Sequence, residues 1–274
     1  MGKLLRADLF RVFRFKIFYV LLALNAVVGF FTVLNELSWL PVDPSVSAFD
    51  VMCSGFGGGI AFIGILDAVL VSIFIGHEYG CGAMRNKVMT GGGRPKIYLS
   101  ELIVSCAMCA AVYLGFHAVN FVFGSALMGW GSHSFAEVAL AFLSGLFMTL
   151  AYSAIFTGIA MLSKNTIAGL LAGILGVLVV LFAVMWLMGE LEGTYVYDPE
   201  DPEGVILVAC RWPAWVQSLV RGFIRLIPTG QSVLLTGGAV QSFGGYGALI
   251  GLSCVWIALS AVGGSLLFRK IDMK

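Results

Sequence analysis

The chain has 274 residues, of which 59% are hydrophobic and only 11% charged, with a formal net charge of +1 and a mean hydropathy of +0.97. A water-soluble domain carries about a quarter charged residues, so this composition excludes an ordinary soluble fold and predicts an all-α integral membrane protein in one transmembrane domain. The near-zero net charge hides a strong asymmetry along the chain, which is where the information lies.

Residues 3–16, KLLRADLFRVFRFK, have the pattern of an amphipathic interfacial helix. On a helical wheel Leu5, Leu9, Val12 and Phe13 fall on one face and Lys3, Arg6, Arg11 and Arg14 opposite, which predicts basic residues directed at anionic headgroups. No small-residue cleavage site follows, so the next apolar stretch is expected to stay in the chain as a helix. Six spans are predicted at 17–37, 55–75, 97–123, 138–162, 166–188 and 248–268, each long enough to cross roughly 30 Å of hydrocarbon. Thirteen of the sixteen Lys and Arg then fall on one side, in the N-terminal segment, the second connection, Lys164 and the C-terminal tail. The other side gathers the acidic residues. By the positive-inside rule both termini are cytoplasmic, the expectation for a multi-pass protein of a bacterial plasma membrane.

Ser163-Lys164-Asn165 is a short connection, so the fourth and fifth spans are predicted as antiparallel neighbours. Gly169, Gly173 and Gly176 in the fifth, and Gly55, Gly57, Gly58, Gly59 and Gly64 in the second, predict close helix–helix approach. After an acidic outer loop, GELEGTYVYDPEDPEG, residues 212–238 form neither a span nor a loop. Val216, Leu219, Val220, Phe223 and Ile227 recur at helical spacing until Pro228 breaks the pattern, which predicts two short re-entrant helices. Arg221, Phe223, Arg225 and Pro228 are the candidate residues of an outer gate.

Sites for chemistry are few. There is no phosphate-binding G-x-x-x-x-G-K-[ST], no HExxH and no G-x-S-x-G, and His77, His117 and His133 are dispersed. Catalysis, a metal and a cofactor in this chain are therefore not expected, nor is a nucleic-acid partner. The pair Cys106-x-x-Cys109 lies in an apolar span and is read as packing. Cys53 and Cys210 share the outer side, and whether they pair is open. Asp67, near the middle of the second span, is the strongest candidate for a transport pathway, because an ionisable group at that depth needs a cavity or a partner. Hydrogen bonding within the bundle accounts for it equally well. Asn25 and Asn120 are weaker pathway candidates, better explained by interhelical hydrogen bonds.

The connection at 78–94 is polar, basic and glycine-punctuated, and Glu78 through Met89 is predicted to form a short helix at the cytoplasmic surface. Its residues Glu78-Tyr79-x-x-Gly82-Ala83-Met84-Arg85-Asn86, followed by Gly93-Arg94-x-x-Ile97-Tyr98-x-x-Glu101-Leu102, resemble the ABC-2 type permeases. The resemblance is nearest to the bacterial permeases of the bacitracin, lantibiotic-immunity and sodium-export group. In that family E-[YF]-x-x-G-T-[LIM]-[RK] opens the cytoplasmic loop; here Ala83 stands for the threonine, Glu101 for a lysine, and glycine occupies 92 and 93 where serine is common. The resemblance implies a non-catalytic membrane subunit of an ATP-driven exporter, with ATP and Mg on two copies of a separate ATPase and a second permease copy, identical or related. It implies that Glu78, Tyr79, Gly82, Ala83, Met84, Arg85, Asn86 and Arg94 couple to that ATPase, and that spans one, two and five line the pathway. An apolar outer segment suits a hydrophobic or amphipathic cargo such as an antimicrobial peptide. On this reading Glu78 and Arg85 can be changed without harm to the fold. The rival reading is an ion- or proton-coupled transporter or channel that uses Asp67.

Overall fold

The structure, a computed structural model, describes residues 2–57, 62–90, 93–197, 205–208 and 210–270. Gly58, Gly59, Gly91, Gly92, most of the acidic stretch 198–204 and Lys274 lie outside the described residues. Helices α1 (Gly2–Val12), α2 (Lys16–Trp39), α3 (Ala48–Gly57), α4 (Phe62–Gly80) and α5 (Ala83–Met89) open the chain. They are followed by α6 (Arg94–Leu127), α7 (Phe135–Ser163) and α8 (Thr166–Glu192). Two short strands, β1 (Thr194–Tyr197) and β2 (Val205–Val208), pair antiparallel with Thr194 opposite Val208. Then come α9 (Ala214–Leu226), α10 (Pro228–Thr236) and α11 (Gly245–Lys270). Six of these, α2, α4, α6, α7, α8 and α11, are long and apolar enough to cross a membrane. Apart from the ribbon the elements are helical, and the chain is an all-α, multi-pass membrane protein.

Helices α4, α6 and α7 pack on one another at the centre; α2 lies on α6, α8 on α4 and α7, and α11 on α7 and α6. Local signals fix the ends. Ser134 caps α7 by accepting from the Glu137 N–H at 3.2 Å, and Asn165 Oδ1 accepts from Ile167 and Ala168 at the start of α8. Lys164 takes a positive φ of 53°, so the chain reverses within three residues and α7 and α8 are antiparallel neighbours. The glycines of α8 differ. A Cβ on Gly173 would lie 2.9 Å from that of Ala68 on α4, whereas one on Gly176 would meet nothing within 4 Å. Gly173 therefore sets helix approach, and Gly176 borders an open cleft.

The second span departs from expectation. Its predicted start at 55 lies in α3, whereas the described helix long enough to cross a membrane is Phe62–Gly80 and runs five residues past the predicted end at 75. Helix α3 packs instead against α10, with Thr236 Oγ1 donating to the Cys53 carbonyl at 3.3 Å. Two short helices thus fill one end of the bundle, which suits irregular backbone that must be buried in protein at membrane depth. Helix α10 is buried over most of its length, and the turn before it is tight: Gly230 lies against the Ile224 carbonyl with no room for a Cβ. Both long-helix distortions are wide turns, at Asn120–Gly124 and Ser260–Gly264. The second occurs where the Tyr98 ring presses on Gly264 and its hydroxyl meets Ser260 Oγ at 3.0 Å. All six cysteines are unpaired, Cys53 and Cys210 included.

Candidate functional site

One end of the bundle collects α1, α5, the start of α6, the α7–α8 turn and the end of α11; Arg94 Nη1, for example, donates to the Arg269 carbonyl at 2.9 Å. Among the described residues its exposed charges are basic, and its acids are hidden. Asp8 on α1, Glu78 in the last turn of α4 and Glu101 on α6 are each at most 2% exposed. All three converge on one ammonium. Lys87 Nζ of α5 donates to Asp8 Oδ1 at 2.6 Å, Glu78 Oε1 at 2.5 Å and Glu101 Oε1 at 2.5 Å. Arg11 adds a second cation, paired with Glu78 and with Glu101 at 3.2 Å, and its guanidinium lies 3.9 Å from the centre of the Phe74 ring. Ser100 Oγ donates to the second oxygen of Asp8 at 2.7 Å.

Three carboxylates around two cations leave this buried cluster with one formal negative charge in excess. Charges taken out of water are tolerated only when paired and hydrogen-bonded, and removing one member leaves the others exposed to the full desolvation penalty. The cluster ties α1, α4, α5 and α6 at a single point. The three acid oxygens are close enough to hold a metal ion, but the Lys87 ammonium already occupies the space between them, and a cation is supplied by the chain itself.

Two expectations need correction. The helix does not run on from Glu78: α4 continues to Gly80, Gly82 reverses the chain with φ of 71°, and α5 is Ala83–Met89. Glu78 is therefore a buried structural acid, where the sequence suggested a surface contact, because its position in the last turn of α4 points it under α5. Helix α1 is also turned. Leu4, Leu5, Asp8, Arg11 and Val12 face the bundle, while Arg6, Leu9, Phe10, Phe13 and Arg14 are exposed. The charge pairing overrides the hydrophobic face: Arg11 goes in and Phe13 goes out.

The other predicted residues separate in the same way. Tyr79 donates to the Met161 carbonyl at 2.9 Å and joins α4 to α7, and Met84 is buried beneath α5. Gly82 and Ala83 are half-buried, while Arg85 and Asn86 are exposed, together with Met89 and Thr90. Within the spans, Asn25 Nδ2 donates to the Val112 carbonyl at 2.7 Å and Asn120 Nδ2 to the Ala48 carbonyl at 3.0 Å, so both bind backbone across helices. Asp67 is buried and has no such partner.

At the opposite end, Arg221 of α9 stands 5.5 Å over the Phe243 ring, and the Arg225 carbonyl accepts from Gln231 Nε2 at 3.0 Å. Pro228 is buried at the first turn of α10. Phe223 is exposed, in line with Trp215 and Leu219, so α9 turns an apolar stripe outward.

Sequence reasoning missed Lys87, Asp8, Arg11 and Glu101 as a unit. A signal was present: each of the three acids interrupts a segment whose other charges are basic. No protein-family model and no curated protein matches the chain.

Proposed function

We propose that this chain is the membrane-spanning subunit of an ATP-driven exporter of the ABC-2 type, and that α5 is the element through which a separate ATPase acts on it. One observation carries the reading. A seven-residue polar helix, with Arg85, Asn86, Met89 and Thr90 exposed, is fastened to three other helices by a buried ionic cluster. A solvated connector needs no such anchorage. Apart from Met84 and the half-buried Val88, α5 has little apolar surface to hold it, so its position is bought with three buried acids. Force applied to Arg85–Thr90 would reach α1 through Asp8, α4 through Glu78 and α6 through Glu101, all through Lys87.

The basic end is cytoplasmic on this reading, by the positive-inside rule. ATP binding closes the ATPase pair, draws two α5 helices together and biases the spans between inward- and outward-open states, because ATP binds the closed pair more tightly. The cargo is hydrophobic or amphipathic, which the outward apolar stripe of α9 suits. Purification from native membranes in mild detergent tests the proposal. A soluble ATPase should copurify in stoichiometric amount from wild type and be lost in Arg85→Glu, while that variant keeps its elution profile. A homogeneous chain without an ATPase, from membranes in which both are expressed, would remove the reading.

A further inference from the structure

Helices α4, α6 and α7 enclose a set of buried oxygens that meet no N–H or O–H donor. They are both carboxylate oxygens of Asp67 on α4, Ser105 Oγ on α6, and Ser153 Oγ and Thr157 Oγ1 on α7. All four residues are at most 1% exposed. The Cys109 thiol faces both Asp67 and Ser153, so these groups meet across the three helices. Ser105 precedes Cys109 by four residues and Thr157 follows Ser153 by four, which places them on the same faces one turn nearer the basic end. None of the ion pairs among the described residues includes Asp67.

Each unmade hydrogen bond to a buried polar group costs about 1–3 kcal/mol, and a lone buried carboxylate far more. The nearby thiols are weak donors, and the backbone of these helices is engaged in its own hydrogen bonds. The chain thus gathers oxygens around one carboxyl group whose donor is a thiol, and among the described residues it supplies no counter-charge. Hard oxygen ligands with one formal charge match a small monovalent cation, whereas the sites that hold calcium draw on more carboxylate. Tyr152 directly precedes Ser153 on α7, and its hydroxyl donates to Thr229 Oγ1 at 3.0 Å. Both residues line a cleft of about 180 Å³ between α7, α8 and the start of α10.

We propose that Asp67 and Ser153, with Thr157 and Ser105 behind them, form a binding site for a small monovalent cation in the middle of the bundle. The site is independent of any ATPase partner. Thermal unfolding of the detergent-purified full chain tests it, in sodium chloride against choline chloride at equal ionic strength. Wild type should gain thermal stability saturably with sodium and not with choline. The gain should vanish in Asp67→Asn, and its midpoint should move about tenfold higher in Ser153→Ala, the loss expected for one ligand of a few. No sodium-specific gain in wild type would overturn the proposal, as would the same gain in Asp67→Asn, which would place the cation elsewhere. Should Asp67→Asn fail to purify, an unchanged midpoint in Ser153→Ala overturns it equally.

Discussion

Glu101 and Asp67 are both buried carboxylates on adjoining helices of one bundle, and their company is opposite. Glu101 accepts from Lys87 and Arg11, inside a cluster with Asp8 and Glu78. Asp67 meets the Cys109 thiol, and no N–H or O–H donor reaches its oxygens. The difference follows from depth. At the bundle end, α1 and α5 can bring long cationic side chains over the acids from outside. At mid-span the neighbours are packed helices, and among the described residues no cation pairs with Asp67. The first acid holds structure, and the second is left to hold something else.

Removing the shared cation should break the first region most severely. Lys87→Met leaves three carboxylates facing one another with only Arg11 nearby, and should cost about 3–5 kcal/mol. Thermal unfolding in detergent should show that loss as a large downward shift in midpoint, with Lys87→Arg recovering much of it. A small effect of Lys87→Met would mean that the cluster does not fasten α5.

The formal charge of the cluster sharpens the same comparison. With three acids against two bases, neutralising one acid brings the balance to zero, whereas neutralising Lys87 takes it further from zero. Glu101→Gln should therefore cost less than Lys87→Met, about 1–3 kcal/mol for the hydrogen bonds it weakens. Glu78→Ala, which the sequence suggested as harmless, should behave like a core variant and lower the unfolding midpoint clearly. The ranking of the three midpoints is the measurement, and a Glu101→Gln protein less stable than Lys87→Met would refute the charge balance.

Much of the fold was legible before any coordinates, and the reasons are physical. Span number and the α7–α8 hairpin follow from hydropathy and from a three-residue connection that leaves no other geometry. The short paired helices after the acidic loop were announced by Pro228 and by the spacing of Val220 and Phe223. Three-body electrostatics was not legible. Nothing in the spacing of Asp8, Lys87 and Glu101 says that they meet, because Asp8 stands 79 residues from Lys87 and 93 from Glu101. The hydropathy of α1 gave the wrong orientation, since a wheel weighs Phe13 and Arg11 by polarity and cannot see two acids waiting under the helix.

At mid-span the expectation reverses. Asp67→Asn replaces a buried carboxyl group that joins none of the ion pairs among the described residues, so in choline buffer its unfolding midpoint should match wild type or exceed it, within about 1 kcal/mol of stability. The same isosteric change at the bundle end, Asp8→Asn, should be clearly destabilising, since Asp8 accepts from both Lys87 and Ser100. Equal losses at the two positions would erase the distinction between a paired and an unpaired buried acid.

The smallest effect on stability belongs to the surface of α5. Arg85 and Asn86 are exposed and make none of the cluster's bonds, so Arg85→Glu should move stability by no more than about 0.5 kcal/mol. Its effect should appear in the partner. Reversing one charge at a docking face commonly weakens association through both rate and fit, so copurification of the ATPase should fall by about tenfold or more. Lys87→Arg is the complementary probe: it preserves a cation under α5 but changes a compact ammonium into a planar fork that cannot meet three carboxylates in the same way. If α5 transmits force through that one ammonium, Lys87→Arg should bind the ATPase at wild-type levels and yet stimulate it poorly. Binding and stimulation would then separate on opposite faces of one short helix, with Arg85 governing the first and Lys87 the second. Loss of both together in Lys87→Arg would show instead that the cluster merely shapes the docking face.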